Sequence, residues 1–172
     1  MDSIGEPVNL LGHSYGAIYA LEAATLTPHH VDRLILYEPP INVTPPPDLV
    51  ERLEAMLEAG DREGVIVTFV REIEGLEPEE VPEWQMWVPF AHTLPREFRA
   101  AEAYAEARRF GALGMPTLLL GGDESPPFLP EGNRAVAEAL PDSRVAVMSE
   151  QGHEAVETGP ELLVREVLRF LT

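Results

Sequence analysis

Val8-Asn9-Leu10-Leu11 runs directly into Gly12-His13-Ser14-Tyr15-Gly16, and that segment runs directly into Ala17-Ile18-Tyr19-Ala20-Leu21. An apolar run, a glycine-flanked serine and a second apolar run rich in alanine predict a strand, a sharp turn and a helix. In that context a Gly-x-Ser-x-Gly match reads as a nucleophile elbow, a turn that holds its serine in a strained backbone conformation. The residues two positions from the serine must then be small, and Gly12, Gly16 and Ala17 comply. The helix that follows carries Ala17, Ala20, Ala23 and Ala24, small enough for close approach to a sheet.

The remainder of the chain continues in two styles. Val31 to Tyr37 reads as a buried strand stopped by Glu38-Pro39-Pro40, and Pro116 to Leu120 as another leading into Gly121-Gly122-Asp123. Asn133 to Leu140 is a helix, Arg144 to Met148 a strand, and Pro160 opens a last helix with Leu163, Val167, Leu168 and Leu171 on its docking face. Apolar strands alternating with helices predict a parallel α/β sheet of about four strands. Ile41 to about Gly111 breaks the rhythm. Behind the stiff Pro45-Pro46-Pro47, helical spacing recurs at Leu49 to Leu57 and at Val65 to Ile73. Trp84, Trp87, Val88 and Phe90 form a third apolar group, and Pro95 to Phe110 a last helix. The organisation expected is a core of residues 1–40 and 112–172 interrupted by a helical cap insertion at 41–111.

Charge and composition narrow the partners. The 172 residues carry a formal net charge of −18, with 45% hydrophobic and 24% charged residues. That balance fits a globular domain and lacks the basic footprint that nucleic acid or an anionic membrane surface requires. No apolar run reaches the length of a membrane span, and there is no leader-like N-terminus and no cysteine. A cytoplasmic location is therefore expected. Half of the net charge lies between Pro46 and Trp84, and it reads as a solvated helical surface.

Three segments, Gly12-His13-Ser14-Tyr15-Gly16-Ala17, Pro116-Thr117-Leu118-Leu119-Leu120-Gly121-Gly122 and Gln151-Gly152-His153-Glu154, resemble the α/β-hydrolase family over nearly the whole chain. The resemblance starts at the nucleophile strand, since only thirteen residues precede Ser14, so the fold expected is truncated, without the family's N-terminal strands. It implies Ser14 as nucleophile, His153 as general base, and Tyr15 as backbone donor to an oxyanion hole. A second donor would come from a loop after an earlier strand. The acid that orients the base has two candidates. Asp123 lies near the family's usual acid position, although counting from Pro116 places that position on Ser125. Glu38 ends the strand after the nucleophile helix, a place from which some haloalkane dehalogenases and related hydrolases take their acid. Glu38 is favoured because an unpaired carboxylate in its apolar, proline-bounded setting would be costly, and Asp123 remains the alternative.

The implied function is hydrolysis of a small apolar ester or similar small-molecule substrate through an acyl-Ser14 intermediate. His13, Trp84, Trp87 and Phe90 would line the substrate pocket, with Phe98 beside them, although packing of the insertion's own core explains those aromatics equally well. No metal and no organic cofactor is implied. His29-His30 is one adjacent pair without carboxylate partners, which does not make a metal site. The rival reading is a catalytically impaired domain that serves as an oligomerisation or binding module. The strand at 7–11 would leave one edge unpaired, and a homodimer formed through that edge is expected.

Overall fold

The computed structural model describes residues 5–41, 45–103 and 107–172. In chain order these form β1 (Val8–His13), α1 (Tyr15–Leu26), β2 (Val31–Tyr37), α2 (Leu49–Glu58), α3 (Arg62–Phe69), α4 (Leu94–Ala103), β3 (Thr117–Gly122), α5 (Phe128–Ala139), β4 (Ser143–Met148), α6 (Ala155–Thr158) and α7 (Pro160–Leu171). The chain divides into two compact units, Met1–Val43 with Tyr104–Thr172, and Thr44–Ala103.

The first unit holds a four-stranded sheet in the order β1-β2-β3-β4, every pair parallel. Parallel neighbours need a crossover between them, and α1 and α5 supply two of these, packing on β1 and β2 and on β3 and β4 respectively. Successive side chains of a strand point to opposite faces. Ile35, Tyr37, Leu118, Leu120 and Met148 accordingly share one face, against which α7 lays Leu163, Val167, Phe170 and Leu171. This is a truncated α/β-hydrolase architecture with a helical insertion between β2 and β3. No helix among the described residues is long and apolar enough to cross a membrane.

Several elements run further than the apolar pattern suggests. β1 continues through Gly12 and His13, which still pair with Leu36 and Tyr37, so the serine motif begins inside the strand. β3 reaches Gly122. α5 starts at Phe128, five residues before Asn133, because Pro130 falls in its first turn, where a missing N–H breaks no helical hydrogen bond. The small-residue requirement at the turn also narrows. A Cβ on Gly12 would sit 2.3 Å from the Gly16 carbonyl oxygen and 2.6 Å from Ala17 Cα, whereas a Cβ on Gly16 would meet nothing within 4 Å. Of the two glycines, only Gly12 is sterically required.

The second unit is helical. α2 packs on α3 and on α4, with Leu53, Val65, Ile66 and Phe98 buried. The ring of Phe69 meets Trp87 edge-on at 6.4 Å and Phe98 at 6.3 Å. α3 is capped by Asp61, whose carboxylate accepts the Gly64 N–H at 2.8 Å, and it passes into a π-helical turn at Val70–Glu74. The third apolar group forms 3-10 turns over Trp84–Thr93, with Pro89 inside them. The helix expected from Pro95 to Phe110 is shorter: α4 ends at Ala103, and a 3-10 turn at Ala107–Phe110 belongs to the first unit. Residues 104–106 of that expectation lie outside the described residues. Part of the unit's negative charge is matched locally, by Arg52 on Glu72 and Arg99 on Glu54.

Candidate active site

Ser14 stands between β1 and α1 with φ 55° and ψ −127°. For a residue with a Cβ this is a strained conformation, and the surrounding hydrogen bonds hold it. The Ser14 N–H donates to the Tyr37 carbonyl at 2.8 Å, and the Ser14 carbonyl accepts the first helical N–H, from Ala17, at 2.8 Å. Tyr15 is the first residue of α1, at the positive end of the helix dipole. The parallel pairing of β1 with β2 places His13 opposite Tyr37, so the next residues along, Ser14 and Glu38, leave the same end of the sheet.

Glu38 is fully buried and also has a positive φ, 48°. Its backbone N–H donates to the Leu120 carbonyl at 3.1 Å. Its carboxylate takes three donors. Oε1 accepts the Gly122 N–H at 2.8 Å and the Ser125 hydroxyl at 2.6 Å, and Oε2 meets His153 Nδ1 at 2.7 Å. A buried carboxylate is tolerable only when its lone pairs are used in this way. An ionised carboxylate can only accept, so His153 carries its proton on Nδ1. Its Nε2 is then left with the lone pair, in the protonation pattern of a general base.

His153 lies in the loop between β4 and α6, with 10% of its side chain exposed. The loop is seated on β3. A Cβ at Gly122 would lie 1.9 Å from the Gln151 carbonyl oxygen, and that oxygen accepts the Glu124 N–H at 2.9 Å. Only glycine allows this approach. His13 stacks on Tyr37, with ring centroids 4.9 Å apart, and its centroid is 4.6 Å from that of His153. Burial and the neighbouring His153 push the His13 pKa down to about 4, so its ring is neutral at neutral pH. Its Nε2 donates to the His153 carbonyl at 3.0 Å. Tyr37 is pushed up, by burial and by the negative charge of Glu38, and its hydroxyl remains protonated.

Asp123 faces elsewhere. It is exposed, and it accepts the Glu150 N–H at 2.7 Å and the Ser149 hydroxyl at 3.0 Å, bracing the turn that leaves β4. Of the two candidate acids, Glu38 is the one hydrogen-bonded to His153. In the second unit Trp87 packs on Phe69, Trp84 is half-buried and Phe90 is 64% exposed. Ser125, Tyr37 and Gly122 join the site without having been singled out for it by sequence. Ser125 occupies the position that counting assigns to an aspartate, and it donates to the carboxylate that comes from β2. A cavity of ≈ 520 Å³ beside β3 and β4, lined by Gly122, Asp123, Asn133, Val145 and Val147 among others, borders this edge without touching Ser14 or His153. Among the described residues no group of three His, Asp or Glu side chains could hold a metal ion.

Comparison with known proteins agrees with this architecture. A model described as "Alpha/beta hydrolase family" matches residues 1–166. An alpha/beta hydrolase from Sphaerobacter thermophilus is 28% identical and superposes with a TM-score of 0.85, over 99% of this chain and 70% of that one. A hydrolase from Pseudomonas aeruginosa (18% identity, TM-score 0.74) is matched over 99% of this chain and 67% of its own. A bromoperoxidase from Bacillus anthracis (19% identity, TM-score 0.72) is matched over 99% and 69%. The chain thus spans about two thirds of the length of these structures. At such low identity the last two matches concern the fold alone.

Proposed function

The chain belongs to the alpha/beta hydrolase family, and from that premise we propose that it is a cytoplasmic serine hydrolase of small, apolar esters, acting through an acyl intermediate on Ser14. Family and fold support hydrolase-type chemistry in general. The observation that carries the finer reading is the buried Glu38 carboxylate, 2.7 Å from His153 Nδ1, at the sheet end from which the strained Ser14 also leaves. A serine hydroxyl is too weak a nucleophile at neutral pH unless a base accepts its proton. A histidine held in the Nδ1–H tautomer by a carboxylate is such a base.

In this reading Ser14 Oγ attacks the ester carbonyl carbon and His153 Nε2 takes the hydroxyl proton. Glu38 stabilises the imidazolium, and the Tyr15 N–H receives the developing oxyanion. Collapse breaks the bond to the leaving alkoxide, and His153 returns the proton to it. Water then repeats the sequence on the acyl-serine, with His153 as base, and the carboxylic acid leaves. A bromoperoxidase shares the fold, so fold alone does not select the substrate. The −18 net charge disfavours anionic substrates, which is consistent with an uncharged ester.

The test is labelling with a serine-directed fluorophosphonate, run beside turnover of a chromogenic short-chain ester. Wild type labels and turns over, Ser14→Ala does neither, and His153→Ala loses turnover. A folded wild type that takes no label would sink the reading.

One observation favours a second reading, an association module. β1 is an outer strand of the sheet among the described residues, and Leu11 on it is 46% exposed. Unpaired strand edges invite pairing with another chain. In this reading two copies join through β1 across a two-fold axis.

A further inference from the structure

We propose that His13 and Tyr37 are positioning residues that pin the 152–155 turn and so hold His153 in line with Ser14 and Glu38. The inference rests on the reading of His153 as the base. The two rings form the last paired rung of β1 and β2, and they are stacked. Each is the immediate chain neighbour of a residue assigned to the chemistry, His13 of Ser14 and Tyr37 of Glu38. From that rung they reach three backbone groups of one turn. His13 Nε2 donates to the His153 carbonyl at 3.0 Å, the Tyr37 hydroxyl donates to the Gly152 carbonyl, and the Ala155 N–H donates back to the Tyr37 hydroxyl at 3.3 Å.

The turn needs this anchoring. Between β4 and α6 it has no ladder of its own, and the Glu38 carboxylate grips only the ring of His153, leaving its backbone to be fixed by other groups. Gln151 seats the start of the loop on β3, and beyond it side chains from the strand ends bind the backbone at 152–155, so this turn is also tied to the rung next to Ser14 and Glu38. The chemistry of the anchors is specific. His13 must donate from Nε2 while staying uncharged beside a histidine that becomes cationic in each cycle. Burial keeps it neutral at working pH. An arginine or lysine there would donate equally well but would oppose the imidazolium.

The experiment compares folded wild type with His13→Leu, Tyr37→Phe and His13→Gln, the last of which keeps an N–H donor at similar reach. The first readout is the low-field proton resonance of His153 Nδ1 in its hydrogen bond to Glu38, which requires no turnover. The second is the pH profile and the kcat-against-KM split for a chromogenic ester. His13→Leu and Tyr37→Phe should broaden or lose the resonance and lower kcat by about 10- to 100-fold at unchanged KM, the scale of loss that a misplacement of about 1 Å produces. His13→Gln should restore most of both. Folded His13→Leu and Tyr37→Phe variants that keep the resonance and the wild-type pH profile would overturn the proposal. Tyr37→Phe removes a single oxygen and carries the test alone if His13→Leu does not fold. The resonance decides the matter even for a chain that hydrolyses no ester, so failure of the clamp and failure of the serine-hydrolase reading are told apart.

Discussion

Glu38→Gln preserves the shape of a buried side chain while removing the charge that keeps the His153 proton on Nδ1. By the logic of a triad whose acid is amidated, kcat should fall about 10³- to 10⁴-fold with the fold intact, whereas Asp123→Asn should leave kcat nearly unchanged. Steady-state kinetics on the two variants, beside their melting curves, check the contrast. The sequence placed both carboxylates at strand ends and favoured Glu38 for its apolar, proline-bounded setting, with Asp123 left as the alternative. What separates them is the convergence of the Gly122 N–H, the Ser125 hydroxyl and His153 on one carboxylate, and that depends on the register of β2 against β3. His13 adds a pH dependence at the same scale. Its pKa is lowered to about 4 in the folded chain, against about 6.5 for an unperturbed histidine. As pH falls, the unfolded chain therefore takes its proton first. The His13 contribution leaves stability whole above about pH 6.5 and erodes it between there and about pH 4, by at most about 3 kcal/mol. Urea midpoints across that window should fall less steeply for His13→Gln than for wild type.

At the scale of elements, the turn between β1 and α1 gives an opposed pair of predictions. Gly12→Ala forces a methyl group to 2.3 Å from the Gly16 carbonyl oxygen, and neither backbone can give way without moving a strand or a helix. A loss of about 1–3 kcal/mol is expected, as for overpacked cores. Gly16→Ala meets open space inside a helix and should be neutral or should stabilise by up to about 1 kcal/mol. Thermal melts of the two single variants check this, and equal destabilisation would mean that the elbow packs differently. The strand-turn-helix order, the four parallel strands and the docking helix α7 were all legible from periodicity. Element ends were less so, for physical reasons. Gly12, His13, Gly121 and Gly122 add no apolar signal to a strand, yet their backbones still pair. Pro130 looks like a helix breaker, yet it sits where a helix needs no donor. In the insertion, Pro89 and the crowded aromatics settle into 3-10 turns that helical spacing does not announce.

Taken whole, the molecule carries a net charge of −18 and presents an outer strand with an exposed leucine. The two features oppose each other in self-association, because copies that would pair along β1 also repel. Salt screens the repulsion within a Debye length of about 10 Å at 0.1 M. A β1-mediated homodimer should therefore grow with ionic strength in sedimentation velocity, and Leu11→Glu should abolish it. A wild type that stays strictly monomeric at high concentration and high salt would exclude such a dimer. The order of the sheet has a further consequence, for how the chain finds its fold. Because strand order follows chain order, β1 and β2 can meet as soon as the short crossover through α1 exists. The β2–β3 pair must instead close over roughly 80 residues, against roughly 17 for β1–β2, an added closure cost of about 1 kcal/mol. Gly122 and Ser125 lie beyond that closure and His153 lies beyond β4. During synthesis the elbow therefore emerges before the groups that bind the Glu38 carboxylate, and those groups meet it only once the longest crossover has shut. Loop-closure entropy thus predicts that the site is completed only after the β2–β3 pair has formed.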